Sequence, residues 1–299
     1  MTVTAPPELN TVRDWLRYAV SRMRAADVAF GQGFVDAYDE AAYLVLHTLH
    51  LPLDRLEPFL DAHLSGAECR AIAQVLDRRV TDREPAAYIT GEAWLGPLRF
   101  KVDPRVIIPR SHIFELMQDG FEPWLDDMGD GPGHVLDLCT GSGCLAIAAA
   151  HYFPEAQVDA VDLSADALEV AALNVAEHGL ADRVELLHGD LFAPLKGRRY
   201  DLILSNPPYV TDAAMAALPD EFLREPAMAL GAGADGMDIV RRIVADARAH
   251  LNPGGLLLVE VGRNQAETEQ ALPDLPLVWL DTPSASAPVF LLRAEDFGG

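Results

Sequence analysis

Four residues that could bind a planar polar group follow a short apolar run at positions 200–204. They are Asn206, Pro207, Pro208 and Tyr209. The apolar run is typical of a buried strand, and the prolines fix their own φ and favour extended geometry in the residue before each. Asn206 is therefore expected at a strand end with little freedom, where its amide offers one acceptor and two donors in a plane. This group complements another amide, or an amino group on an aromatic ring, and Tyr209 can lay its ring face against either.

A glycine-rich turn lies upstream, within an order of elements that is typical of a nucleoside-binding site. Residues 135–150 predict a strand, a turn and a helix of small residues, with the turn at 140–143. A second predicted strand, 158–162, ends at Asp162, nineteen residues after Gly143. Glycines let the backbone approach a ligand, and a carboxylate at the next strand end can bind both hydroxyls of a ribose. This order of elements predicts a Rossmann-like fold.

Together the two motifs resemble the class I methyltransferases that use S-adenosylmethionine, in the branch that methylates glutamine side chains. The resemblance covers roughly residues 85–293. It implies an α/β fold with a mainly parallel seven-stranded sheet, a small N-terminal helical domain and S-adenosylmethionine as cofactor. The cofactor-binding residues it implies are Asp137, Cys139, Thr140, Gly141, Ser142, Gly143, Asp162, Asp190, Leu191 and Asn206. Within this set, Asp190 would accept from the exocyclic amine of adenine and Leu191 would cover the ring.

Two further stretches of sequence indicate which protein carries the methylated glutamine. Residues 139–143 read Cys-Thr-Gly-Ser-Gly and residues 108–111 read Ile-Pro-Arg-Ser, similar to enzymes that act on the third protein of the large ribosomal subunit. Relatives that act on peptide release factors show Gly-Thr-Gly-Thr-Gly and Ile-Pro-Arg-Pro-Asp-Thr-Glu instead. His112 departs from the proline expected after Ser111. The resemblance thus implies a glutamine of that ribosomal protein as methyl acceptor, with the release-factor enzyme as the closest alternative.

Methyl transfer to a glutamine amide depends on geometry, because the lone pair of the amide nitrogen is delocalised into its carbonyl. If Asn206 Oδ1 and the carbonyl of Pro207 each accept one N–H, the nitrogen is fixed and its developing positive charge is stabilised. Tyr209 would stack on the amide plane, and Pro208 belongs to the same substrate site. Asn206, Pro207 and Tyr209 are the predicted catalytic residues.

The composition predicts a soluble, cytoplasmic protein. Half of the 299 residues are hydrophobic, and no apolar run is long enough to span a bilayer. The first seven residues carry neither the basic start nor the apolar stretch of a secretory signal. Cys69, Cys139 and Cys144 are an odd number without disulfide or zinc spacing, and no histidine cluster has ligand spacing, so no metal is expected.

The net charge of the chain limits the classes of molecule that it can bind. Acidic residues number 46 against 23 Lys and Arg, which gives a formal net charge of −23. A surface this negative repels phosphate backbones and attracts cationic proteins. The basic groups at 78–79, 196–199 and 241–242 are short enough to be solvated surface. We therefore expect a basic ribosomal protein, taken before assembly, as partner, and neither DNA nor a membrane.

The N-terminal region, residues 1–84, predicts a small helical domain. Apolar residues recur at helical spacing over 9–30 and 37–49, and Ser65 can cap a third helix. The region carries no recognisable chemistry of its own. We expect it to dock the substrate protein. The alternative is that it has only a structural packing role.

The rest of the chain predicts a linker and a second domain. Residues 85–110 predict a β-hairpin with strands at 88–94 and 98–102. Arg110, at its end, would either help to close the site or form an ion pair with a nearby acid. Residues 111–299 alternate strands and helices, which predicts the mainly parallel sheet of the methyltransferase domain.

Three other functions are compatible with parts of the sequence. A methyltransferase for the exocyclic amine of adenine in nucleic acid uses a similar Asn-Pro-Pro-Tyr, but the acidic charge argues against it. Residues 141–146 satisfy the G-x-G-x-x-A dinucleotide fingerprint of an NAD-dependent oxidoreductase, although this leaves the tetrapeptide unexplained. The third is a silent binding protein with the same fold, against which Asp162 and Asn206 argue.

Overall fold

The computed structural model describes residues 8–125, 128, 131–282 and 288–298, and the chain divides into two compact units. The helical unit runs to Ala93 and includes Pro219–Arg224, whereas the sheet unit comprises Trp94–Leu218 and the chain from Glu225 onward. The first seven residues, on which the expected lack of a secretory signal depends, lie outside the described residues. Within the described ranges, no helix is both long and apolar enough to cross a membrane.

Capping side chains mark the beginnings of the three longer helices of the helical unit. Thr11 and Ser65 each form a capping box, and Asp36 accepts from two backbone N–H groups at the start of its helix. The apolar faces of the helices meet in a core that contains Trp15 and Leu44. The helices are α1 (Val12–Ala25), α2 (Ala37–Thr48), α3 (Gly66–Val80) and α4 (Ala86–Thr90).

A buried charge network joins the two segments of the helical unit. Arg79, only 1% exposed, donates to Glu40 at 2.5 Å, and its Nη1 lies 3.5 Å from Glu221. Glu221 also accepts from Arg83 at 3.0 Å and from the backbone N–H of Ala29 at 3.2 Å. Because an unpaired buried charge is strongly unfavourable, these pairs fix Glu221 within the helical unit, although it lies far along the chain.

The hairpin is shorter than the sequence predicts. Strands β1 (Glu92–Leu95) and β2 (Leu98–Lys101) form a two-stranded sheet. The predicted strand over 88–94 is wrong in its first half, because α4 occupies residues 86–90. Gly91, with a φ of 75°, ends that helix in the left-handed conformation typical of a glycine C-cap. A short apolar run alone does not distinguish a strand from a helical turn.

The sheet unit contains one seven-stranded sheet in the order β5–β4–β3–β6–β7–β9–β8. Neighbours from β5 to β7 are parallel, and β9 runs antiparallel to both β7 and β8. This confirms the predicted mainly parallel, seven-stranded fold. The strands are β3 (His134–Leu138), β4 (Gln157–Asp162), β5 (Val184–His188), β6 (Tyr200–Ser205), β7 (Leu251–Glu260), β8 (Val278–Leu280) and β9 (Val289–Arg293). The helices are α5 (His112–Gln118), α6 (Cys144–Tyr152), α7 (Ala165–Glu177), α8 (Asp212–Met215), α9 (Asp238–His250) and α10 (Gln265–Ala271).

The carboxyl ends of β3, β4 and β6 lie side by side at the centre of the sheet. Leu138 pairs with Val161 on one side and with Ser205 on the other. β3 and β6 are mostly buried, which is why their sequences are largely apolar, whereas β4 alternates buried apolar residues with more exposed polar ones. The loops that leave the three ends converge on one edge, where open parallel sheets bind ligands.

Candidate active site

A buried carboxylate holds the glycine-rich turn after β3. Asp137 is 1% exposed, and its Oδ2 accepts from Thr140 Oγ1 at 2.5 Å and from the backbone N–H of Ala146 at 3.1 Å. Burial raises the pKa of Asp137 to about 7. Asp137 thus ties the turn to the beginning of α6 from inside the protein.

Three residues between the end of β3 and the beginning of α6 have a positive φ. The angle is 62° at Cys139, 55° at Gly141 and 81° at Gly143. A Cβ at Gly143 would also lie 3.3 Å from the Cβ of Ala171 on α7, so glycine permits both the backbone conformation and the close approach. Cys139 adopts a conformation that is uncommon for a residue with a side chain.

Asp162, the last residue of β4, connects two loops of the site. Its Oδ2 accepts from the backbone N–H of Gly141 at 2.8 Å, and its Oδ1 accepts from that of Ser164 at 2.8 Å. Burial raises the pKa of this carboxyl group. The two backbone donors fix the carboxylate at the sheet edge, where it forms part of a cavity wall.

A cavity of about 240 Å³ lies at the carboxyl edge of the sheet. The sequence-predicted residues in its wall are Cys139, Gly141, Asp162, Asp190, Leu191, Asn206 and Pro208. Wall residues that no sequence motif indicated include Val106, Ile107, Leu163, Ser164, Met228 and Arg242. In the part of the chain that the structure describes, the wall does not include Asp137, Thr140, Ser142, Gly143, Pro207 or Tyr209.

A larger cavity, of about 700 Å³, lies at the opposite edge, where the strands begin. Three of its charged residues pair with one another, since Arg198 lies 2.8 Å from both Asp159 and Glu185. Ligands of open α/β sheets bind outside the carboxyl ends of the strands, so the smaller cavity is the candidate site.

The smaller cavity has the chemistry of a nucleoside site. It presents two carboxylates, Asp162 and Asp190, beside apolar surface from Leu191. Asp190 accepts from Arg242 on α9 at 2.7 Å, and both residues line the wall.

The solvated-surface prediction is wrong for Arg79, which is 1% exposed and paired with Glu40. Arg242 is 50% exposed, as predicted, but it also belongs to the wall of the smaller cavity. Only the tertiary placement of α9 reveals it, because Arg242 is 52 residues from Asp190 along the chain.

Asn206 directly follows β6, as the sequence predicts. Its Nδ2 donates to the backbone carbonyl of Arg110 at 3.1 Å. Since only the nitrogen end of an amide can donate, this bond directs Oδ1 away from Arg110. Asn206 also lines the cavity, so its amide borders the candidate site.

Neighbouring residues hold both the ring and the backbone carbonyl of Tyr209. A Cβ at Gly262 would lie 2.4 Å from its ring, so only glycine permits this contact. Asn264 donates to the backbone carbonyl of Tyr209 at 2.6 Å. Burial and the nearby charge of Glu260 raise the pKa of the phenol. Tyr209 is therefore a fixed neutral ring rather than a base at neutral pH.

Arg110 forms the ion pair that was one of its two expected roles. Its Nη1 and Nη2 donate to the two oxygens of Glu225 at 2.6 and 2.7 Å. His112, the departure from the family pattern, has its Nδ1 3.0 Å from Glu115 Oε1. Neither Glu225 nor the Glu260 near Tyr209 was indicated by a sequence motif.

Known protein families match residues in both units of the chain. The family described as Methyltransferase small domain matches residues 124–275, and the family described as PrmC N-terminal domain matches residues 14–91. A protein of Burkholderia pseudomallei, named ribosomal protein uL3 glutamine methyltransferase, is 55% identical over 98% of this chain and 97% of its own. One of the same name from Bordetella pertussis is 57% identical over 96% of each chain.

The fold also occurs in a solved structure that has little sequence identity to this chain. The solved structure of the hMettl16 catalytic domain in complex with MAT2A 3′UTR hairpin 1 has a TM-score of 0.51. It is 14% identical and aligns over 81% of this chain and 85% of its own. At that identity the likeness extends to the fold alone.

Proposed function

We propose, from the premise that the chain belongs to the family of ribosomal protein uL3 glutamine methyltransferases, that it methylates the side-chain amide nitrogen of a glutamine in uL3. The reaction class and the methyl donor, S-adenosylmethionine, are as the sequence predicts. The alternatives, including the nucleic-acid enzyme and the oxidoreductase, are not favoured. The observation that carries the proposal is the Asn206 amide, oriented at the edge of a nucleoside-sized cavity.

The cavity wall provides the groups to hold the cofactor. Asp162 would accept from the ribose hydroxyls, and Asp190 and Leu191 would bind the adenine by its amine and its ring face. The backbone of Gly141 would approach the cofactor, and Cys139 would contact it from the same turn. The remaining predicted cofactor residues act by shaping the turn: Asp137, Thr140, Ser142 and Gly143. The bound cofactor supplies an electrophilic methyl group on a sulfonium.

Asn206, Pro207 and Tyr209 would hold the acceptor. Asn206 Oδ1 and the carbonyl of Pro207 each accept one N–H of the glutamine amide, which aims the nitrogen and stabilises the positive charge that develops on it. Pro208 lines the same space. Tyr209 stacks on the amide plane and keeps its own proton, because its pKa is raised. The proton that leaves the methylated nitrogen needs no strong base, since that nitrogen becomes acidic once it is alkylated.

The charge of the chain supports a cationic substrate protein. With a net charge of −23, the protein attracts basic proteins and repels nucleic acid. This favours free uL3 in the cytoplasm, before it is assembled with RNA. Residues 1–84 would dock the substrate, and residues 111–299 would carry the reaction, with residues 85–110 as linker.

The test is the transfer of labelled methyl from S-adenosylmethionine to two purified proteins, free uL3 and a peptide release factor, followed by mass mapping. Label on a glutamine of uL3 alone supports the proposal. Label on the release factor alone would keep the reaction and overturn the substrate, and label on neither would overturn both.

A further inference from the structure

Two buried carboxylates converge on the segment that orients Asn206. The segment comprises residues 108–112, and the backbone carbonyl of Arg110 lies at its centre. This carbonyl holds the nitrogen of the Asn206 amide, so its position decides which end of the amide the substrate meets. An amide rotated by half a turn about its last bond would present donors to a substrate N–H and would repel it.

Glu225 holds the segment from one side. Its side chain is fully buried, and Oε1 accepts from the backbone N–H of Ile108 at 3.0 Å. Its two oxygens also bind the Arg110 guanidinium in a bidentate pair at 2.6 and 2.7 Å. Bidentate Arg–carboxylate pairs are strong and geometrically specific, so Glu225 fixes the main chain and the side chain together.

Glu260, the last residue of β7, holds the segment from another side. It is 3% exposed, and its Oε2 accepts from Ser111 Oγ at 2.7 Å and from the backbone N–H of His112 at 2.8 Å. Burial raises its pKa, with the Ser111 hydrogen bond acting in the opposite direction. Pro109, between the two sets of contacts, has a fixed φ that further limits the segment.

We propose that Glu225 and Glu260 are positioning residues for methyl transfer. By fixing residues 108–112 they keep the Arg110 carbonyl against Asn206 Nδ2, and therefore keep Asn206 Oδ1 turned toward an incoming primary amide. This proposal rests on the proposed function for the identity of that substrate. Neither carboxylate touches the reacting atoms in this arrangement. Their effect is on turnover through Asn206, not on binding of the cofactor.

The test combines kinetics with NMR of the Asn206 side chain. The chain has five asparagines, so selective ¹⁵N labelling gives five side-chain amide pairs, and Asn206→Ala assigns the relevant one. In Glu225→Gln and Glu260→Gln we expect kcat to fall by about 10–100-fold, as is typical when a residue that orients a functional side chain is replaced. The KM for S-adenosylmethionine should stay within about threefold, and the Asn206 Nδ2 protons should exchange faster with solvent.

A matched control is Glu40→Gln, which makes the same change in the buried carboxylate that pairs with Arg79 in the helical unit. If either carboxylate variant fails to fold, Arg110→Lys and Ser111→Ala remove the bidentate pair and one donor to Glu260 separately. Unchanged Asn206 signals, or a loss of kcat no larger than in Glu40→Gln, would overturn the proposal. The NMR result is independent of the substrate, so failure of uL3 to accept methyl would contradict the proposed function without affecting this test.

Discussion

Asp137→Asn is expected to stabilise the protein relative to wild type as the pH rises. Burial lifts the pKa of Asp137 from its ordinary 3.8 to about 7, so the folded protein keeps a proton that the unfolded chain releases between these values. Wild-type stability therefore falls as the pH rises from the unfolded to the folded pKa. The full difference corresponds to about 4 kcal/mol, of which roughly 3 kcal/mol falls between pH 5 and pH 8. Asparagine has no proton to release, and its Oδ1 can accept the same two hydrogen bonds.

The measurement is urea unfolding of both proteins, without ligand, at pH 5 and pH 8. The stability of the variant minus that of wild type should rise by roughly 3 kcal/mol over this range. Glu68→Gln is the control. The backbone N–H of Ser65 lowers the pKa of Glu68 below its ordinary 4.5, so the stability that Glu68 contributes is lost only in more acidic solution, and its removal should cost nearly the same at pH 5 and pH 8. A constant difference between Asp137→Asn and wild type would refute the assignment of a protonated buried acid.

Two further predictions concern stability. Arg79→Met leaves the buried carboxylate of Glu40 without its cation and should destabilise the protein by about 3–5 kcal/mol in chemical denaturation. Arg13→Met breaks an exposed pair and should change the midpoint far less. Equal midpoints would contradict the network. Cys139→Val places a β-branched residue at a φ of 62° and should be less stable than Cys139→Gly, which has no Cβ, by about 1–2 kcal/mol. Calorimetry that ranks valine above glycine would contradict this.

The parts of the site that the sequence predicts are those encoded locally. Asn206 was expected at a strand end because the apolar run and the two prolines adjoin it, and Asp162 because a strand pattern ends there. The supports of the site come from distant positions. Glu225 is 115 residues from Arg110, and Glu260 is 149 residues from Ser111. No spacing rule connects such pairs, since tertiary packing alone brings them together.

Local ambiguity explains the remaining error in the fold. Residues 88–90 combine aromatic and β-branched side chains, which favour a strand, but Pro85 and Gly91 bracket a single helical turn that propensity does not reveal. Similarly, no local pattern pairs Glu221 with Arg79, although residues 219–224 belong to the helical unit.

The proposed reaction depends on the oriented Asn206 amide. The most direct test of this role compares Asn206→Ala with Asn252→Ala, whose side chain pairs with Asp201 away from the cavity. Binding of S-adenosylmethionine by calorimetry and methyl transfer to uL3 are measured in parallel. We expect Asn206→Ala to bind the cofactor within about threefold of wild type and to lose about 10²–10³-fold in kcat, while Asn252→Ala keeps both. Wild-type turnover in Asn206→Ala would contradict the account.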